Sequence, residues 1–533
     1  MPTPVLNLAP PQLGCNDNTS KQPPAPDEVT TAATREFRGI IDFIEQQAHA
    51  DMAPSFMEME RQLRSRLMAL GRLLVILFLT LFECHVTNGM QGTVEVNGQR
   101  YNRRPPKGRN LMTLFGVVRY FRTYLRRRST YKGSRSGQFP TDALLGLTKD
   151  RTSMGILSLG AYLSTKMSYA QASECLRRTT GVAPSTEVLQ RGVLGLGSHV
   201  SAYIEQAPAP AGDGEVLVIQ FDGKGAPTVT EHELELRRGP RSKESRPCCK
   251  RHSGRVQRKK QNRKEKRIND AKDPSKNAKE VTVLVMYTLS RGEDGRLHGP
   301  VNKRVHASFD TKDSVFSLAR REAIKRGFDP DSDTKTIHII TDGDAALARR
   351  VDQTFRYAVH TIDIMHVLEY VWSAGRAICS TSKELRAWTA KQKDRLLCGQ
   401  VGMVLSDLDL ALERMAPSSA GVKTVETSLK YILLRSDKLD YGWLRARDLD
   451  IGSGAVEGAV KHIVGLRFDN GGMRWIPERA EALLKLRCVA FNGDWDDFIE
   501  YVDEQVRAAN QKGENLRILT NIPESLEKFA SAA

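Results

Sequence analysis

Asp222 closes the apolar run of VLVIQFDGKG, Val216 to Gly225, and Asp342 closes that of TIHIITDGD, Thr336 to Asp344. Runs of this composition are buried central strands, so each delivers one acid to a C-terminal strand end. Glu457 lies in GSGAVEGAVKHIVGLRFDNGGMRW, Gly452 to Trp475, on a helix entered through Ser453. Two strand-end aspartates and one helical glutamate form an oxygen-only donor set, which suits hard cations: Mg2+, or Mn2+ in its place. A pair of such ions about 3.5 to 4 Å apart is what two-metal phosphodiester chemistry requires. A lone strand-end aspartate is more often a cap or turn residue; three acids in matching positions reverse that reading. Asp344 competes with Asp342 but suits the N-cap of the next helix, whereas Asp342 directly follows the apolar run. Lys461, Arg467 and Arg474 either clamp phosphates near the metals or are plain surface cations.

The elements that must position these acids follow from periodicity. After the strand ending at Asp222 come VTVLVMYTL (281–289), a turn at 292–295, and VNKRVHASF (301–309). A helix over 314–326, the strand ending at Asp342, a helix over 345–355 and a strand over 357–362 complete the order βββαβαβ. That is the order of the ribonuclease H-like fold, whose first and fourth strands are parallel neighbours about 4.8 Å apart. The expected architecture is an α/β core with a mixed sheet (213–362), interrupted by an all-helical insertion (363–450) and resumed over 451–500 with Glu457. A tail, 501–533, carries no legible chemistry.

The 533-residue chain is expected to hold about three domains, and its formal net charge of +17 points to a polyanionic partner, nucleic acid first. Charge alone leaves membrane surfaces and ribosomes open. Residues 1–30 read as a disordered, proline-rich leader without a secretory pattern. Residues 31–100 read as helical, with Leu63, Leu67, Leu70, Leu74, Leu77 and Leu81 at coiled-coil spacing: either a homodimer seam or one helix of a bundle. The longest apolar run, Leu73 to Phe82, is shorter than the roughly 20 residues of a membrane helix, so no membrane partner is expected.

The region before the core is expected to be mainly helical and to bind DNA, with a basic hairpin and a helix-turn-helix-like part over 101–207. Its basic, aromatic first part predicts a hairpin around Gly116 that offers Arg119, Arg122, Arg126, Arg127 and Arg128 to phosphates, or a solvated basic face. Residues 168–197 read as helix, Gly181 turn, helix: either a helix-turn-helix presenting Thr186, Gln190 and Arg191, or a plain helical hairpin. QAPAPAGDGE, 206–215, reads as the main linker. The insertion 237–279 is cation-dense and reads as either a solvated segment or one that tracks DNA with Lys259, Lys260, Arg263 and Lys264. Eight scattered cysteines fit a reducing cytoplasm, and adjacent Cys248 and Cys249 beside His252 make a poor zinc site.

With the acids placed, the sequence resembles DDE-type transposases, and more narrowly the Kra-type insertion-sequence transposases, relatives of the Mutator-like group. The blocks that carry this are QFDGKGAP, TDGDAAL, DIMHVLEYVW, GSGAVEGAVKHIVGLRFDNGGMRW and LRCVAFNGDWDDF, within 111–498. The resemblance implies that Asp222, Asp342 and Glu457 hold two Mg2+ (or Mn2+) ions, with Asp363 and His366 of DIMH matching an acid-and-histidine signature. His366 is alternatively a satisfied core histidine, and Trp372 either core or a base-stacking residue. It further implies binding of double-stranded DNA at element ends and targets, cleavage and strand transfer, a homodimer, and a location on the nucleoid in the cytoplasm. STYKGSRSGQFPTDALLGL has no cysteine where relatives carry one, so no zinc ribbon is expected. Two alternatives stand beside it: a ribonuclease H-like structure-specific nuclease that cuts without joining, and a non-enzymatic DNA-binding descendant of a transposase.

Overall fold

The computed structural model describes residues 22–50, 54–96, 99–127, 137–229, 278–416, 420–469 and 473–514. Arg128, Lys259, Lys260, Arg263, Lys264, the Cys248, Cys249 and His252 group, and most of the N-terminal leader lie outside them. Two units divide the chain: Met1–His199 with Trp495–Ala533, and Val200–Asp494. The division falls inside the helix Thr186–Gln206, not at the proline-rich stretch that follows it.

In the first unit, helices Pro26–Ala48 and Phe56–Thr87 accompany an antiparallel sheet of β1 (Thr93–Val96), β2 (Gln99–Thr113), β3 (Gly116–Arg127) and β4 (Gly137–Gln138). The expected hairpin is present but longer, because a register shift between Arg104 and Lys107 accommodates Pro105 and Pro106, which have no N–H to give the ladder. Val29, Ile76, Leu79, Leu111, Val118 and Tyr120 form the core beneath it. The helix turns a different face inward from the leucine seam: Leu73, Ile76 and Leu79 are buried, whereas of the seam Leu63, Leu70 and Leu77 are half-buried and Leu67, Leu74 and Leu81 stay 50%, 49% and 50% exposed. By length and composition this 32-residue helix could cross a membrane, which the run at 73–82 understated, since the helix continues through Gly71 and Arg72. Helix Tyr169–Thr180 starts in a reciprocal Ser168–Gln171 cap and ends on Gly181 at φ +77°, followed by helix Thr186–Gln206.

The second unit holds β5 (Val216–Pro227), β6 (Ala278–Arg291), β7 (Leu297–Ser308), β8 (Thr336–Thr341) and β9 (Val359–Ile362) in the order β7-β6-β5-β8-β9. β5, β8 and β9 are parallel, β6 runs against β5 and β7 against β6, so β6 alone is reversed in this sheet and the first and fourth strands of the βββαβαβ order are parallel neighbours. Helices Lys312–Lys325 and Ala345–Thr354 cover one face through a core that includes Phe221 stacked on Phe316 at 4.0 Å. Between β9 and the segment of Glu457 lie the helices Ile364–Ile378, Ser382–Leu397, Val401–Arg414, Val422–Leu433 and Tyr441–Arg445.

Candidate metal centre

β5 does not stop at Asp222. Its pairing with β8 ends at Gln220 opposite Ile340, while its pairing with β6 continues from Asp222 opposite Val283 to Pro227 opposite Ala278. Asp222 therefore sits where β5 has lost one neighbour, half-buried, on the same face as Gln220 two residues earlier. Gln220 is buried and fastens the Glu457 segment to the sheet. Its amide nitrogen donates to Tyr287 Oη at 3.0 Å and to the Gly452 carbonyl at 3.3 Å, and its oxygen accepts from the Val456 N–H at 3.0 Å. Beyond Asp222 the same segment is tied again, Val229 N–H to the Trp475 carbonyl at 2.9 Å and Trp475 N–H to the Pro227 carbonyl at 3.0 Å.

Glu457 stands on the α-helical turn Gly454–Ala459, which widens into a π-helix over Val460–Gly465. Turns of this type are rare and recur at functional sites. Buried Arg487 supports this one, donating to the carbonyls of Ile463 (2.8 Å) and His462. Its guanidinium is pushed down to about 10 by burial, with the charge of Arg467 adding to the shift. Arg467 is not a phosphate clamp: it is 2% exposed and stacks on Trp475, its guanidinium 4.7 Å from the ring centre. Lys461 and Arg474 are exposed.

Asp342 follows β8 directly, half-buried, with Oδ1 accepting the Asp344 N–H at 2.9 Å. Asp344 caps the next helix through Ala346 N–H (2.7 Å) and Leu347 N–H (3.0 Å). Burial pushes its carboxyl up, but those bonds together with the charges of Lys312 and Arg350 hold it below the usual range. The helical insertion braces this loop, a role its sequence did not announce. Tyr431 Oη donates to the Asp342 carbonyl at 3.0 Å, and Arg435 donates to the Gly343 carbonyl through Nε (2.9 Å) and Nη2 (2.8 Å). Tyr431 stacks on Tyr370 at 3.7 Å, and the Arg435 guanidinium lies over the Tyr431 ring, 4.0 Å from its centre. Gly343 has φ +87°, and a Cβ there would collide with Tyr431 Oη. Gly343→Ala is expected to lower stability by roughly 1–3 kcal/mol, read by urea unfolding; an unchanged midpoint would remove the brace.

The carboxylates sense one another. The Asp222 carboxyl is held above its ordinary value first by burial, then by the negative charges of Asp342 and Glu457, against the Gly223 N–H and His366, which pull it down. Glu457 is nonetheless nearest to a different pair: among the described residues, the donors that lie within 4.8 Å of one another are those of Asp363, His366 and Glu457. Asp363 is fully buried, Oδ1 capping the helix Ile364–Ile378 through Met365 N–H at 2.8 Å. Ser453 Oγ lies against Asp363 Oδ2 and 3.0 Å from Glu457 Oε1. Clustered, mutually repelling oxygen donors fit a divalent cation. Of the residues that periodicity missed, only Gln220 left a signal, a polar side chain inside an apolar strand.

In the first unit, Arg122 is not free for phosphate. Its side chain is mostly buried and pairs with Asp142, which also takes Arg109 (2.9 Å) and the Tyr120 hydroxyl (2.6 Å). Arg119 is half-buried beside Asn110, Arg126, Arg127 and Arg191 are exposed, and Gln190 is half-buried. Arg109, Arg119, Arg122, Lys149, Arg151 and Asp142 line a cavity of about 620 Å³.

No protein-family model and no curated protein matches the sequence. Among solved structures, the Drosophila P element transposase strand transfer complex is similar at 9% identity over 67% of this chain and 82% of that chain, with a TM-score of 0.23, too distant to bear on fold or function.

Proposed function

We propose that the chain is a DDE-type transposase with a ribonuclease H-like core, of the Kra-type insertion-sequence group, that cleaves the ends of a mobile DNA element and joins them to a target. The observation that supports this most is the meeting of acids from parallel neighbours: β5 and β8 carry Asp222 and Asp342 toward the same end of the sheet, where Asp222 also senses Glu457. Asp222, Asp342 and Glu457 would hold two Mg2+ ions, or Mn2+ in their place. Such ions activate a water or a DNA 3′ hydroxyl and stabilise the leaving oxygen of an in-line displacement.

The chain's own side chains do the rest. Tyr431 and Arg435 hold the Asp342 loop, Gln220 aligns the Glu457 helix with β5, and Lys461 and Arg474 offer positive charge to phosphates beside the acids. Arg119, Arg126, Arg127, Gln190 and Arg191 contact duplex DNA in the first unit, and the Leu67, Leu74 and Leu81 face joins two copies. The protein works on nucleoid DNA in the cytoplasm.

The test is nicking of duplexes that carry the element's ends, by the full chain in Mg2+. Asp342→Asn should abolish nicking and leave DNA affinity intact, while Asp344→Asn, which keeps its helix cap, should retain it. Loss in the second variant alone would move the ligand to Asp344. Nicking without joining to a target plasmid identifies a structure-specific nuclease instead, and no nicking with any divalent ion leaves a DNA-binding protein without chemistry.

A further inference from the structure

The metal centre proposed above uses carboxylates only, yet a nitrogen stands among the donors. One ligand atom each from Asp363, His366 and Glu457 lies within 4.8 Å of the other two. Donors bonded to one small divalent ion at about 2.1 Å are at most about 4.2 Å apart. The remaining few tenths of an ångström fall to His366, half-exposed, and Glu457, exposed, rather than to buried Asp363.

The Ser453 hydroxyl supplies an independent sign of a missing cation. It faces Asp363 Oδ2 and Glu457 Oε1 together, but a hydroxyl has one proton to donate. Its second contact sets lone pair against carboxylate, an arrangement that a positive ion relieves. Among the described residues, the ion-pair contact of the imidazole is Glu369 at 4.0 Å, a weak tie because that carboxylate side chain is 76% exposed.

We infer that His366 is an inner-sphere nitrogen ligand of a divalent ion held together with Asp363 and Glu457, and that this position takes Mn2+ in preference to Mg2+. Imidazole is a softer donor than carboxylate and suits the later ion, whereas Mg2+ keeps oxygen ligands and its own waters. The inference deepens the proposed function and rests on it for the use of the site, although the donor geometry stands without it.

The experiment is Mn2+ titration of the metal-stripped full chain, followed by pulsed electron paramagnetic resonance for 14N coupling. Wild type should bind Mn2+ with a nitrogen signal that His366→Gln removes. The variant should lose at least the roughly 10- to 100-fold in Mn2+ affinity that removal of an outer-shell partner costs, and lose less for Mg2+. Unchanged metal-free melting of the variant shows that it folds. Bound Mn2+ without nitrogen coupling, or coupling that survives in the variant, overturns the inference. Mg2+-dependent nicking reports separately: nicking with no nitrogen signal sinks this inference and spares the transposase reading, and a nitrogen signal in a protein that never nicks does the reverse.

Discussion

Asp222→Asn is expected to raise the melting temperature of the metal-free protein while eliminating DNA cleavage. The Asp222 carboxyl is held above its ordinary value by burial and by the charges of Asp342 and Glu457, so its ionised form is penalised in the folded state. Below the ordinary carboxylate range the group is protonated both folded and unfolded, and it contributes nothing. As pH rises from the ordinary value to the elevated folded value, the unfolded chain ionises while the folded group keeps its proton, so stability falls across that window and is not regained at higher pH. Asparagine escapes that penalty and keeps the oxygen that accepts the Gly223 N–H at 2.6 Å. A gain on the order of 1 kcal/mol, or about 2–4 °C, is expected at neutral pH, shrinking as pH falls. Saturating Mn2+ should narrow the gap by stabilising only the wild type. A variant that melts lower than wild type at pH 7 without metal would end the like-charge account.

Gln220→Leu should damage both folding and chemistry. It strands the Val456 N–H and the Gly452 carbonyl inside the protein, at about 1–3 kcal/mol for each buried group left unpaired. It also frees the Glu457 helix from the strand that carries Asp222, and a misplacement of about 1 Å at a reacting centre lowers turnover roughly 100-fold. DNA affinity should hold, which separates positioning from binding. Gln220→Glu restores the acceptor for Val456 but not the donor for Gly452, so partial rescue of turnover is expected. Full turnover in a destabilised Gln220→Leu protein would reduce this residue to a structural one.

Much of the core was legible because the signals are local. Apolar runs of strand length, separated by turn residues, predict the βββαβαβ order, and the observed β7-β6-β5-β8-β9 sheet makes neighbours of the strands bearing Asp222 and Asp342. Asp344 as a cap and Gly181 as a helix end were legible for the same reason. What stayed hidden depends on partners distant in sequence. Arg467 reads as a surface cation until Trp475 folds beneath it, and Arg122 as a phosphate contact until Asp142 arrives from the far side of the hairpin. Nothing in the pattern of β5 says that it outlives its pairing with β8, since its support beyond Asp222 comes from β6 and, at its end, from distant Trp475. The proline-rich stretch reads as a boundary because it punctuates, yet the division follows contacts, which run through the preceding helix.

The helix Trp495–Glu514 belongs to the unit that begins the chain, with Trp495 against Tyr162 and the stem of Arg507 beside Gly146. On a ribosome, nascent residues 22–199 must therefore wait through the synthesis of the entire second unit before their closing helix emerges. Translation halted ahead of Trp495 releases a chain whose first half is permanently short of one wall, exposing the ring of Tyr162 to solvent or to chaperones.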